Sequence, residues 1–218
     1  MLRRKNKGFT LVEMVIVLSI FAILLGILIP SLNSLIDYRA TRAAKSITTG
    51  FERLRTEATT RLVAEMKLER KSDGYYISYY VYKGKNGTGE SAKYEMTWTD
   101  EQKIAPARTK IEYQVSGQSL QEIKEGDSLL FTIDRTIGGF RPLQEKETGE
   151  DNGKLEADEV TAAEIKDLLE KNKNLTYHDL KIGDTAAVCE KIVVSGRIKK
   201  STITLEQDTG KVSLNTTV

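Results

Sequence analysis

Cysteine and histidine are almost absent from this sequence, with one residue of each, Cys189 and His178. A lone cysteine cannot close an intrachain disulfide, so no covalent staple holds the fold. A single imidazole leaves no His-rich metal centre, and any Ser-His-Asp triad would have to be built around His178 alone, so the chain is expected not to be an enzyme. Proline is scarce too, at three of 218 residues, and the 16 glycines follow no period. Collagen-like and Pro-rich linker architectures are thereby excluded. Net charge is nearly missing: 33 basic against 31 acidic residues give +2. Four of those cations, Arg3, Arg4, Lys5 and Lys7, crowd the first eight residues, which hold no acid. Without them the balance is 29 against 31, or −2, so a general nucleic-acid or anionic-surface role cannot rest on the bulk charge. What remains is one ordinary domain with an appendage.

The appendage is the one long apolar run. From Phe9 to Ile29 only Thr10, Glu13 and Ser19 are polar, and Gly26 is the only glycine. A helix of this length reaches roughly 30 Å, the thickness of a bilayer's hydrocarbon core. Cations before such a run stay on the cytoplasmic side, which predicts a single-pass topology with the N-terminus inside and everything after Pro30 outside. Three readings compete for the segment. A cleavable secretory signal would have an apolar core of about 7 to 15 residues and a small-residue cleavage site, whereas Pro30-Ser31-Leu32-Asn33 follows here. A plain anchor fits length and charge but leaves Glu13, a carboxylate inside the apolar run, without a reason.

The third reading supplies one. Lys7-Gly8-Phe9-Thr10-Leu11-Val12-Glu13, behind a basic leader and ahead of an unbroken apolar run, closely resembles the processing motif of type IV prepilins and pseudopilins. The resemblance implies a leader of residues 1–8, cut between Gly8 and Phe9 by a prepilin peptidase that also N-methylates Phe9. It implies that the apolar helix is retained, and that Glu13 pairs with the N-terminal amine of a neighbouring subunit. The residue types suit that chemistry. Gly8 places no side chain beside the scissile bond. Glu13 follows Phe9 by four residues, one helical turn, so a carboxylate and a free α-ammonium share a face. A buried charge becomes tolerable when such a partner neutralises it.

Beyond Pro30, the positions Leu32, Leu35, Ile36, Ala40, Ala43, Ala44, Ile47, Phe51, Leu54, Ala58 and Leu62 keep the helical period on one face. Asp37, Arg39, Arg42, Lys45, Glu52, Arg53 and Arg55 are assigned to a solvated face. The domain plan is a transmembrane or fibre-core helix over 9–30, a kink or local melt at Pro30, and an amphipathic helix over 31–62. A globular β-rich domain over 63–218 completes it. A helix this long without coiled-coil heptads needs a packing partner. Period-two runs supply it: Ala64 to Leu68, Tyr75 to Tyr82, Tyr94 to Trp98, Lys110 to Val115, Ser128 to Asp134, Lys191 to Ser195, and a closing hairpin of Ser201 to Leu205 and Lys211 to Leu214. The expected fold class is α+β, a long N-terminal helix on an antiparallel sheet, pilin-like by resemblance, with a weaker likeness to minor pseudopilins of type II secretion and competence systems. An acidic insertion over about 140–183 carries a helix over Val160 to Asn172, with Thr161 and Glu164 as its capping box.

Other candidates are thinner. With Gly153 as the sixth position of an EF-hand-like loop, Glu150, Asn152, Glu156 and Glu159 fall at ligand positions, but Thr148 stands at the first, so calcium is a weak candidate beside a solvated acidic loop and no cofactor is expected. The tyrosines of 75–82, with Tyr76, Tyr80 and Tyr82 on one face, could form a stacking platform or simply a sheet surface. Cys189 reads as a small core residue, His178 as structural or exposed, and Arg197, Lys199 and Lys200 as a basic patch too small to claim DNA. The resemblance implies, as partners, the peptidase and methyltransferase, other pilin or pseudopilin subunits, the membrane, and an inner-membrane platform protein driven by an assembly ATPase. DNA belongs only to the competence alternative, and a membrane-anchored binding or enzymatic domain is the remaining rival.

Overall fold

The computed structural model describes residues 9–60, 64–88, 93–133, 138–141, 144–145, 159–161 and 188–217. Helix α1 spans Leu11–Thr60, fifty residues, and runs through Pro30 without interruption, so the proline is accommodated rather than melting the helix. Eleven strands follow among the described residues: β1 (Ala64–Lys71), β2 (Gly74–Asn86), β3 (Lys93–Pro106), β4 (Lys110–Val115), β5 (Gln121–Glu122), β6 (Ser128–Thr132), β7 (Gln144–Glu145), β8 (Glu159–Thr161), β9 (Cys189–Ser195), β10 (Lys200–Leu205) and β11 (Val212–Thr217). The fold is α+β, as the change of hydrophobic period from helical to alternating demands.

One expectation changes in kind. The strands form two antiparallel sheets, ordered β7-β6-β1-β2-β3-β8 and β11-β10-β9-β4-β5, and α1 packs against both. The chain leaves the first sheet at the short Ala107-Arg108-Thr109 turn and begins the second at β4. Ala40, Ala44, Ile47, Phe51, Leu54 and Ala58 of the helix are buried against Met66, Leu68 and Tyr79 of the first sheet and Ile192, Val194 and Ile203 of the second, in one continuous core. Small helix residues let the sheets approach closely. At Gly50 a Cβ would meet Met66 Sδ at 3.0 Å and the Tyr79 hydroxyl at 3.1 Å, so even alanine there forces a shift. Phe51 lies at the centre, edge-on to Phe131 at 4.8 Å and to Phe140 at 5.5 Å.

The insertion begins later than its composition suggests. Phe140 is buried, bridges to Ile133, and donates its N–H to the Gln207 carbonyl, so it is core. Val160 is not helical: Glu159–Thr161 pairs with Lys93–Glu95 at the edge of the first sheet. The remainder of the expected helix, with Glu164, and His178 lie outside the described residues. The closing hairpin forms as expected, turning at Gly210, whose φ of 62° is the left-handed conformation glycine accepts at no steric cost.

Candidate processing and assembly site

The start of α1 is built by Thr10 and Glu13. Thr10 is the N-cap, and its Oγ1 accepts the Glu13 N–H at 3.2 Å. In return the Glu13 carboxylate accepts the Thr10 N–H and the Thr10 hydroxyl, each at 2.8 Å. This is a reciprocal capping box, and it satisfies two of the N–H groups that any helix leaves unpaired at its start. Thr10-Leu11-Val12-Glu13 carries the T-x-x-E signature in the sequence. That spacing is the signal of the cap, and it coincides with the motif residues. Glu13 therefore already has local partners in the single chain, which keep its carboxylate beside Thr10, next to Phe9. Gly8 itself lies outside the described residues; Phe9 is described and exposed, at 82%.

From Leu11 onward α1 is long and apolar enough to cross a membrane by length and composition, and none of its apolar window is buried within the chain. About twenty residues of unpartnered apolar helix must be covered by lipid or by other helices.

The face assigned to the lower half of the helix needs correction at three positions. Leu35 and Ile36, expected in the buried stripe, are exposed, whereas Asp37, expected in solvent, is only 6% exposed. Asp37 stands three residues before Ala40 and seven before Ala44, so it continues the buried stripe backwards, and that spacing was the available signal. Its Oδ1 accepts three backbone N–H groups from the turn between β9 and β10: Arg197 at 2.7 Å, Ile198 at 3.0 Å and Lys199 at 3.2 Å. Gly196 permits the approach, since a Cβ there would collide with that same oxygen. The helix thus grips the second sheet by one carboxylate in a nest of amides.

The N–H groups, that of Ile198 foremost and helped by the Lys199 charge, hold the Asp37 carboxyl below the usual carboxylate range against the opposing effect of desolvation. A depressed folded-state value means the ionised carboxylate contributes stability above the unfolded value of about pH 4, and that contribution is lost as pH falls through the folded value. Asp37→Ala is expected to speed amide hydrogen exchange at residues 197–199 by roughly tenfold at neutral pH, and to remove the part of the acid-unfolding transition that Asp37 causes. Asp37→Asn, which keeps a carbonyl acceptor, should speed exchange less. Unchanged exchange in Asp37→Ala would show that the turn holds its own shape.

The first sheet is gripped separately. The Arg53 guanidinium lies 4.2 Å from the centre of the Tyr79 ring and 2.5 Å from the Asp100 carboxylate. Asp100 occupies a positive-φ position of 57° in an irregular stretch of β3, where the register to β2 shifts between Ile77 and Tyr79. The tyrosine platform does not form as such. Tyr75, Tyr79 and Tyr80 are all buried, Tyr76 is partly exposed and bonded to Asp73, and the Tyr82 side chain lies outside the described residues. Cys189 is a buried free thiol at the start of β9, and burial pushes its pKa up to about 12, as a core role requires. Of the calcium candidates, Glu150, Asn152 and Glu156 lie outside the described residues, and Glu159 stands in β8 opposite Glu95. Among the described residues no three His, Cys, Asp or Glu side chains gather to hold a metal ion.

Residues 3–29 match the family model described as the prokaryotic N-terminal methylation motif. No curated protein and no solved structure gives a significant match to this chain.

Proposed function

We propose, from the type IV prepilin and pseudopilin signal that residues 3–29 carry, that this chain is a non-enzymatic structural subunit, a minor pilin or pseudopilin, of a type IV pilus-like or type II secretion-like filament. The signal implies processing by the prepilin peptidase and assembly with other pilin-like subunits. In this reading the precursor sits in the cytoplasmic membrane with its leader inside and its two sheets outside. The peptidase removes residues 1–8 and methylates the new Phe9 amine. A platform protein coupled to an assembly ATPase then draws the subunit into the fibre.

The observation that carries the reading is the junction at residue 40 between two environments on one helix. Above it, one face of α1 is buried by both sheets; below it, among the described residues, the apolar surface is exposed. Fibre cohesion then comes from bundling these lower halves, where Ala22 and Gly26, four residues apart, allow close backbone approach. Gly26 fits this use, since a Cβ there would touch nothing inside the chain. Register comes from Glu13 and the neighbouring Phe9 amine.

The test is the mature N-terminus. Mass spectrometry of the membrane-extracted protein should give a chain beginning at N-methylated Phe9. Gly8→Leu should lower the processed fraction by roughly tenfold or more, because a branched side chain must then fit beside the scissile bond. A mature chain beginning elsewhere, or full processing of Gly8→Leu, would overturn the assignment.

A further inference from the structure

Three features meet where the folded part of the chain faces the end of its apolar run. Leu35, Ile36 and Tyr38 stay exposed on the helix, at 45%, 43% and 65%, past the point where the run itself has ended. Asp37 clamps the β9–β10 turn to the helix at this same level. The tip of that turn presents Ile198, 58% exposed, between exposed Arg197 and exposed Lys199, with exposed Lys200 next.

Charge here has one sign. Between Pro30 and Phe51 the helix bears Arg39, Arg42 and Lys45, all exposed, and a single acid, Asp37, whose Oδ1 is engaged by the turn's backbone. At about 100° per residue, Arg39 and Arg42 lie on the side of the helix away from Asp37. The cations of the helix and of the turn therefore surround the stalk. Asp37 follows Pro30 by seven residues, about 10 Å of helical rise, and the polar headgroup layer beyond the hydrocarbon core is about 5 to 7 Å deep. Long basic side chains at this height reach back to it.

We propose that the β9–β10 turn is a membrane foot of the unassembled subunit. It rests in the headgroup layer of the outer leaflet, with Ile198 and Tyr38 at the interface and Arg197, Lys199 and Lys200 on the phosphate oxygens of anionic phospholipid. The proposal rests on the reading of residues 9–30 as a membrane span. Apolar and aromatic tips flanked by cations are the chemistry of a lipid interface. A second copy presenting the same collar would be repelled by like charge, and a nucleic-acid surface would give Ile198 nothing to contact. The foot would hold the two sheets at a set height and rotation over the membrane until extraction, with Asp37 as the positioning residue that ties it to the helix.

The test uses the full mature chain in lipid nanodiscs, with a fluorophore on Ile198→Cys. The burial of Cys189 leaves it unreactive, so the label is single. Two reference labels accompany it: Leu25→Cys inside the apolar run, and Gln118→Cys in the exposed turn at the far end of β4 from the foot. With a headgroup-attached lipid quencher and anionic lipid present, quenching at position 198 should exceed that at 118 by about twofold or more. It should fall toward the level at 118 in the triple variant Arg197→Gln, Lys199→Gln, Lys200→Gln, in purely zwitterionic discs, and at about 1 M salt. Equal quenching at 198 and 118, with Leu25→Cys quenched by an acyl-chain probe, would overturn the foot alone. No quenching at Leu25→Cys would overturn the membrane span itself. Shielding of position 198 only when subunits are crowded together, or only by added duplex DNA, would assign the surface to a second copy or to nucleic acid and overturn the lipid assignment.

Discussion

Glu13→Ala is expected to be cleaved at Gly8–Phe9 like the natural chain, yet to enter filaments roughly 100-fold less. Truncating one member of a buried charge pair leaves the other unpaired, and in lipid or in a helix bundle that loss is large. The capping box makes a sharper comparison possible, because it gives Glu13 a second, local role: its carboxylate accepts the Thr10 N–H and hydroxyl within the single chain. Glu13→Gln keeps an acceptor oxygen for Thr10 but cannot neutralise a terminal ammonium. If register depends on charge, both variants lose assembly while Glu13→Gln keeps a well-formed helix start. Wild-type filament yield from Glu13→Gln would mean that the cap, and not the ion pair, is what the fibre needs. Filament yield in sheared fractions, with N-terminal mass spectrometry of the membrane pool, reads both outcomes.

Phe51→Ala carries the largest expected stability loss. The ring is fully buried and meets Phe131 and Phe140 edge-on at interplanar angles of 86° and 83°. Removing a buried phenylalanine costs about 3 to 5 kcal/mol in transfer and cavity terms. For a domain of this size that lowers the melting temperature by roughly 10 °C or more. Phe21→Ala, on the same helix, offers the contrast. Its side chain is exposed within the chain, so melting of the detergent-solubilised subunit should be unchanged while filament yield falls. Equal melting losses in the two variants would contradict the division of α1 into a half that stabilises the fold and a half that stabilises the fibre.

Gln144–Glu145 and Glu159–Thr161 show where composition misleads. Both lie in or beside the acidic stretch read as an insertion, and both add short edge strands to the first sheet through backbone pairing that side-chain character does not announce. The division of the strands into two sheets is not legible in the sequence for a similar reason. Alternation records that a strand has a buried face, but strands of both sheets, β1, β2 and β3 of the first and β9 and β10 of the second, pack on the same helix, so the pattern does not say which sheet a strand joins.

The N-terminal segment through the apolar run was determined by sequence alone, because its interactions are local or with the surrounding medium. The apolar run, the T-x-x-E cap and the residue types around Gly8 act within a few positions or with a uniform surrounding medium. Helix and strand identity were likewise periodic and therefore readable. Only the tertiary structure decided the fate of Asp37, whose amide partners lie about 160 residues away, and the placing of a basic turn beside the end of the apolar helix. A carboxylate in solvent and one in a nest of backbone N–H groups are the same letter in the chain; the difference is made by a hairpin that folding brings to it.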